Sequence, residues 1–234
     1  MKLSRQEEFS HRDATVIIPT YNEAGNIGRL IDKLLKLYPG IKIIVADDGS
    51  KDGTQQIVKQ KKVILLDRSR KRVKGLTAAV IDALQLVKTK LVVVMDADFQ
   101  HPPENVGEII KKLSRYELVI GARKSTKGWT MLRKLISFGG TLLANTRLLL
   151  SGKKLVFDPM SGFFGAHTEL FKSVVKTHRS GYIGEGFKVL FDTLKHLPLS
   201  VKLGYVEFDF GLRTAGESKI NKKHIICLLK SLVS

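Results

Sequence analysis

The chain has 234 residues, 43% hydrophobic and 26% charged, which suits one large folded domain, or a core with an appendage, around a sizeable apolar centre. Forty Lys and Arg against twenty-two Asp and Glu leave a formal charge of +18, so an anionic partner is expected: a nucleotide, a nucleic acid or an acidic lipid surface. Cys227 is the sole cysteine, which excludes a disulfide framework and a cysteine-based zinc site, and no run approaches the roughly 20 apolar residues of a membrane span.

Residues 1–13 are polar and charged and are expected to form a flexible leader without signal-peptide character. Thr15 to Ile18 reads as a short apolar strand, followed by the loop Pro19-Thr20-Tyr21-Asn22-Glu23. A helix then carries Ile27, Leu30, Ile31, Leu34 and Leu35 on one stripe. Ile41 to Ala46 is the second strand, running into Asp47-Asp48-Gly49-Ser50, and Val63 to Leu66 the third. The basic run after it (Arg68, Arg70, Lys71, Arg72, Lys74) reads as a solvated loop, or one lying on anionic lipid. A helix of small residues from Gly75 to Leu86 leads to the fourth strand, Leu91 to Met95, and then to Asp96-Ala97-Asp98 and Gln100. A helix over Val106 to Leu113 and a strand from Leu118 to Ile120, ending in Gly121-Ala122-Arg123, complete this half.

Strand–helix alternation with continuously apolar strands predicts a parallel, doubly wound α/β sheet, in which ligands bind at the carboxyl ends of the strands. Glu23, Asp48, Asp96 and Asp98 all fall at such ends. Two carboxylates two residues apart at a strand mouth are costly unless a cation sits there, and oxygen ligands favour Mg²⁺ or Mn²⁺, with Gln100 adding a neutral oxygen. Plainer roles compete: Glu23 as a first-turn helix charge, Asp47 as a structural turn acid, and His101 as a neighbour of the ion rather than its ligand.

The span 131–150 pairs apolar Leu135, Ile136, Phe138, Leu142, Leu143 and Leu148 with basic Arg133, Lys134 and Arg147; it reads either as a membrane-interface helix or as a core helix with a basic edge. Gly139-Gly140 weakens it as one continuous helix. Residues 162–166 form a further strand and 186–194 a helix, while the alternating stretch 201–210 is expected to be an antiparallel edge strand. The loop 213–219, RTAGESK, suits a phosphate, and 221–234 reads as an amphipathic helix.

Neither G-x-G-x-x-G nor G-x-x-x-x-G-K-[ST] occurs, which removes the two common phosphate cradles and leaves an acidic sheet edge with distant cations, a combination suited to a sugar nucleotide. The segments VIIPTYNEAGNI, IIVADDGSKDGT, VKGLTAAVIDAL and VVVMDADFQHPPE resemble glycosyltransferase family 2, of the GT-A (nucleotide-diphospho-sugar transferase) fold. RKLIS (133–137), DPMSGFF (158–164), GFK (186–188) and GLRTAGESK (211–219) resemble the dolichyl-phosphate mannose synthases within it. These blocks run from residue 15 to about 220, so 14–220 is expected to be a catalytic domain with a Rossmann-like, mostly parallel sheet and amphipathic interfacial helices.

The resemblance implies inverting transfer of mannose from GDP-mannose to a dolichyl (polyprenyl) phosphate. Carried over position by position, Pro19, Tyr21, Glu23, Ala46, Asp48, Asp96, Ala97 and Asp98 would bind the nucleotide sugar, and Asp96, Asp98 and Gln100 the metal. Asp98, Arg123, Arg213 and Lys219 would carry catalysis, and Arg133 and Ser137 would meet the acceptor phosphate, although Ser137 could equally face the helix interior. A phosphate monoester, with its second pKa near 6, is already largely dianionic at neutral pH, so no general base is required. It implies a peripheral enzyme on the cytoplasmic face of a membrane, held there directly or by a small anchoring subunit. Lys124 departs from the family, many of whose members have an aromatic residue there, and some members continue into membrane hairpins beyond the point where this chain stops at Ser234. Three other readings are a UDP-glucose or UDP-GlcNAc donor with the same chemistry, a catalytically dead scaffold, and a basic nucleic-acid-binding module. The last lacks an RNP-type aromatic platform, a zinc motif or a helix-turn-helix.

Overall fold

The computed structural model describes residues 8–125, 131–186, 188–211, 227 and 231. Among them, seven strands form one sheet: β1 (Ala14–Thr20), β2 (Lys42–Asp47), β3 (Ile64–Asp67), β4 (Leu91–Val94), β5 (Leu118–Ser125), β6 (Phe164–His167) and β7 (Leu203–Asp209). Across the sheet they lie in the order β3-β2-β1-β4-β6-β5-β7. Only β6 runs against its neighbours; every other pairing is parallel.

The strands read as unbroken apolar runs because both faces of the sheet are covered. Successive side chains point to opposite faces. Val16, Ile18 and Val93 therefore pack with α1 (Ala24–Leu37) and α4 (Val106–Lys112) on one side. Ile17, Val92 and Val94 meet α3 (Leu76–Leu84), α6 (Thr168–Thr177) and α7 (Val189–His196) on the other. Helix α1 is capped by Asp52 rather than by its own Glu23: the Asp52 carboxylate accepts from the Ala24 N–H (2.9 Å). Its fully buried Ile27, Leu30, Ile31 and Leu34 add about 1.5–3 kcal/mol each. A short α2 (Thr54–Lys59) lies between β2 and β3.

Four expectations are corrected. The stretch 201–210 does form an edge strand, but β7 pairs parallel to β5, with Leu118 opposite Leu203 and Ser125 opposite Asp209. The reversed strand is the interior β6. β5 ends at the carboxyl rim, and the segment before β6 returns at that same rim, where the Gly121 N–H donates to the Phe163 carbonyl (2.8 Å). Helix α7 then carries the chain back down, so β7 must climb again.

Secondly, α5 (Met131–Leu150) is one helix of 20 residues despite Gly139-Gly140. Two glycines cost about 1 kcal/mol each, which weakens a helix of this length without breaking it, and buried Ala144 and Leu148 anchor its second half. Thirdly, Arg68 is not solvated: it is among the largest fully buried side chains. Fourthly, residues 8–13 are held against the body. The Phe9 ring meets the His167 ring edge-on (5.6 Å), and His11 meets Tyr38 (4.8 Å). The rest of the expected leader lies outside the described residues, as does most of the expected helix 221–234; within it, Cys227 and Ser231 are helical and buried.

Candidate active site

The carboxyl ends of β1, β2 and β3 make one wall of the site. Pro19 and Ala46 lie opposite each other in the β1–β2 register, and Tyr21 stands at the surface, 47% exposed. Asp47 is fully buried and takes N–H groups from Gly49 (3.1 Å) and Ser50 (2.9 Å), the Thr20 hydroxyl (3.0 Å) and the Gln55 amide (2.7 Å). It is the structural turn acid expected. Asp48 turns the other way, accepting from the Gly75 N–H (2.7 Å) and from the Arg68 guanidinium. Burial pushes the Asp48 carboxyl up, opposed by the Gly75 N–H and the Arg68 charge.

Arg68 also binds Asp82 (3.0 Å) and the Val73 carbonyl (2.9 Å), so one buried cation fixes Asp48 and the loop leading to Gly75 together. Gly75 adopts φ +139°, and a Cβ there would come within 2.8 Å of the Glu185 backbone. Only glycine allows that approach. Glu23 sits at the amino end of α1, where its carboxylate accepts from the Asn26 amide (3.0 Å) and its N–H donates to the Thr54 hydroxyl (2.9 Å). It therefore takes the helix-terminal place, oriented at the rim.

One strand over, β4 delivers Asp96, Ala97 and Asp98. Ala97 and Asp98 are buried, Asp96 about one third exposed. The Asp98 carboxylate accepts from the Gln100 N–H (3.0 Å) across a turn in which Phe99 takes φ +64°, a left-handed conformation rare for an aromatic residue. The Asp96 N–H donates to Nδ1 of His101 (3.0 Å), whose ring stacks on Phe163 at 5.2 Å. Burial pulls His101 down to about 4, keeping it neutral, and its Nδ1 braces the turn by accepting from the Asp96 N–H. The Gln100 amide donates to the Gly211 carbonyl (3.2 Å), which pins the last described residue before the 212–226 segment to this motif.

The opposite wall comes from β5 and the turn before β6. The Arg123 guanidinium makes a two-pronged ion pair with buried Asp158, Nε and Nη2 each 2.7 Å from a carboxylate oxygen, and lies over the Phe210 ring (5.8 Å). The Lys188 ammonium donates to the Met160 carbonyl (2.8 Å). Burial pulls Lys188 down to about 8 and nearby Arg123 adds to this, while Asp158 and Asp96 pull the other way. Gly162 closes the gap between the walls: a Cβ there would lie 3.4 Å from Asp96 Oδ2 and 3.2 Å from the His101 ring. With strands about 4.8 Å apart, the strand order sets the β1–β3 wall, the acidic motif and the cationic wall in a row, roughly 10 Å between successive parts.

No group of three or more His, Cys, Asp or Glu that could hold a metal occurs among the described residues. Two carboxylates and a carboxamide nonetheless fit Mg²⁺ or Mn²⁺, which usually keep one or two protein carboxylates and leave other positions to phosphate and water. The residues present thus fit such an ion with coordination positions left open.

Of the residues expected here, Pro19, Tyr21, Glu23, Ala46, Asp48, Asp96, Ala97, Asp98, Gln100 and Arg123 all lie along the carboxyl rim. Arg213 and Lys219 lie outside the described residues, and so does the side chain of Arg133. Ser137, half-buried, follows Arg133 by four residues on α5, hence on the same helical face. Sequence reasoning alone does not single out Arg68, Asp158 and Lys188. The last two sit inside DPMSGFF and GFK, whose motif character signalled them; Arg68 was hidden in a run of exposed basic residues.

The model of the family "Glycosyl transferase family 2" matches residues 15–175. The chain is 33% identical over 237 residues to the dolichol-phosphate mannosyltransferase of Saccharomyces cerevisiae, covering 93% of this chain and 85% of that protein. It is 34% identical to the dolichol-phosphate mannosyltransferase of Pyrococcus furiosus, over 93% of this chain but only 62% of that longer protein. Glucosyl-3-phosphoglycerate synthase from Mycobacterium tuberculosis, solved with Mn²⁺, UDP and glucosyl-3-phosphoglycerate, superposes with a TM-score of 0.65. That match covers 94% of this chain and 80% of the synthase at 22% identity, and shows a shared GT-A fold. A family model that spans β1 to β6 and relatives that align over nearly the whole length agree: this chain belongs to glycosyl transferase family 2.

Proposed function

We propose that the protein transfers mannose from GDP-mannose to a dolichyl or other polyprenyl phosphate at a membrane surface, giving polyprenyl-phosphate mannose and GDP with inversion. The observation that carries this reading is the opposition of Asp96-Ala97-Asp98, just after β4, to the Arg123–Asp158 pair and Lys188, with Gly162 between them. The relatives' names supply the sugar and the acceptor class.

An acceptor oxygen attacks the anomeric carbon while the bond from that carbon to the diphosphate oxygen breaks, and the electron pair leaves with GDP. The dianionic phosphate needs no base, so the protein's task is to hold two anionic groups at one carbon. Pro19, Tyr21, Glu23, Ala46 and Asp48 form the nucleoside wall. Asp96, Asp98 and Gln100 would hold Mg²⁺ or Mn²⁺, which when bound neutralises charge on the departing diphosphate. Arg123, Lys188, Arg213 and Lys219 would balance phosphate charge, and Arg133 and Ser137 would meet the acceptor phosphate.

Helix α5 exposes Leu135 (66%), Phe138 (71%), Leu142 and Leu150, and no helix among the described residues is long and apolar enough to cross a membrane. An apolar face of this kind suits a helix lying in the lipid interface. Radiolabelled sugar transfer to polyprenyl phosphate, compared across GDP-mannose, UDP-glucose and UDP-GlcNAc, tests the assignment. GDP-mannose is expected to be preferred; a UDP sugar used better overturns the donor assignment.

A further inference from the structure

At the opposite rim of the sheet from the acidic motif, a cavity of about 430 Å³ opens between the beginnings of β5 and β7, the last turns of α5 and α7, and the strap after α5. That volume lies within the range of small-ligand sites. Its wall is apolar: Leu148, Val156, Leu194 and Leu197 are buried in it, while Leu155 (65%) and Leu199 (59%) stand exposed at its mouth. Its charged lining consists of Lys153, Lys154 and Lys202, with no carboxylate among the described lining residues. The Lys153 ammonium is tied to the Leu197 carbonyl (2.7 Å), which closes one side. Lys154 and Lys202 are exposed at the edge, and the neighbouring Glu117 carboxylate is engaged by the Lys202 backbone N–H (2.8 Å).

We propose that this cavity takes one acyl chain of an acidic membrane phospholipid, with the anionic headgroup held by Lys154 and Lys202. A purely apolar occupant would leave the lysines without a counter-charge, and a small anion would leave the leucine wall without a partner. An amphiphile satisfies both. Leu149 and Leu150, at the end of α5, are exposed as well and add apolar surface for a lipid chain to meet. The site is separate from the acceptor site proposed above and does not depend on the transfer reaction.

The test is calorimetric titration of the whole protein with dioctanoyl-phosphatidylglycerol below its micellar concentration. Dioctanoyl-phosphatidylcholine, glycerol 3-phosphate and octanoate serve as comparison probes. Phosphatidylglycerol is expected to bind at least tenfold more tightly than each of them. Lys154→Glu/Lys202→Glu is expected to weaken it at least tenfold, and Leu199→Trp, at the exposed mouth, to block it. GDP binding by the same samples, expected to be unchanged, reports that the fold is intact. Equal affinity for the two phospholipids, octanoate binding as tightly as phosphatidylglycerol, or titrations unaltered in both variants would each overturn the proposal. Loss of GDP binding by the unaltered protein would count against the transferase reading alone.

Discussion

Arg123 and Asp158 are joined by two hydrogen bonds of 2.7 Å, although one ends β5 and the other lies in the turn before β6. This fork is the rivet between the two strands that build the cationic wall. Two-pronged guanidinium–carboxylate pairs are geometrically specific as well as strong. The pair therefore sets where the arginine stands.

Asp158→Ala should be costly on two counts. It leaves a largely buried guanidinium unpaired, lowering stability by about 3 kcal/mol, and it frees Arg123 from its orientation. Denaturant unfolding of Asp158→Ala, Arg123→Ala and the double variant should give non-additive losses, with a coupling energy of about 1–3 kcal/mol. Strict additivity would show that the pair does not act as a unit.

Asp98→Ala and Asp96→Asn should each lower sugar transfer by about 10²–10³-fold, the usual size of removing one electrostatic partner from a reacting group. Melting temperature should change little for Asp96→Asn, because Asp96 is partly exposed and its backbone N–H keeps the His101 bond. Chelation of divalent ions should abolish transfer in the parent protein, with Mn²⁺ or Mg²⁺ restoring it.

Lys188 supplies a pH signature. Its pKa is lowered to about 8, so the ammonium is present below that pH and is lost as pH rises through it. A diphosphate favours the charged form, so donor affinity should be level below pH 8 and fall by up to about tenfold per unit above it. Lys188→Met should weaken donor binding at pH 7 and flatten the alkaline limb. A limb that persists in this variant would assign the titration to another group.

The exposed side of α5 can be altered without touching the core. Leu135→Glu and Leu142→Glu should each reduce vesicle binding tenfold or more, since burying a leucine contributes about 1.5–3 kcal/mol, while leaving melting temperature within error. Vesicle flotation gives the readout.

Gly139→Ala and Gly140→Ala should stabilise α5 by about 1 kcal/mol each, because a Cβ at either position meets nothing within 4 Å. Thermal unfolding followed by circular dichroism would register the gain; destabilisation would mean that close backbone packing there is needed.

Much of the donor half was legible because its signals are local. Val92 to Val94 and Ile43 to Val45 are apolar runs of strand length, and the acids that end them mark the rim without knowledge of pairing. The second half depends on distant partners. The alternation from Leu203 to Asp209 fits an edge strand of either direction, and direction was decided by where α7 begins, beside Met160. Arg68 looked like the start of a solvated run because neither Asp48 nor Asp82, the acids that enclose it, is near it in sequence. Asp158 and Lys188 stood in quoted motifs, yet their partners Arg123 and Met160 emerge only once β6 is reversed.

That single reversed strand also divides the labour of the molecule. The wall proposed for the nucleoside is built by β1 to β3 and their crossover helices, whereas the chain leaves the sheet at the end of β5 and re-enters it at the start of β6, at one rim. Lengthening or reshaping that excursion leaves the register of β1 with β2 and β4 untouched. A scaffold so arranged can exchange the molecule it modifies while retaining the one it draws sugar from.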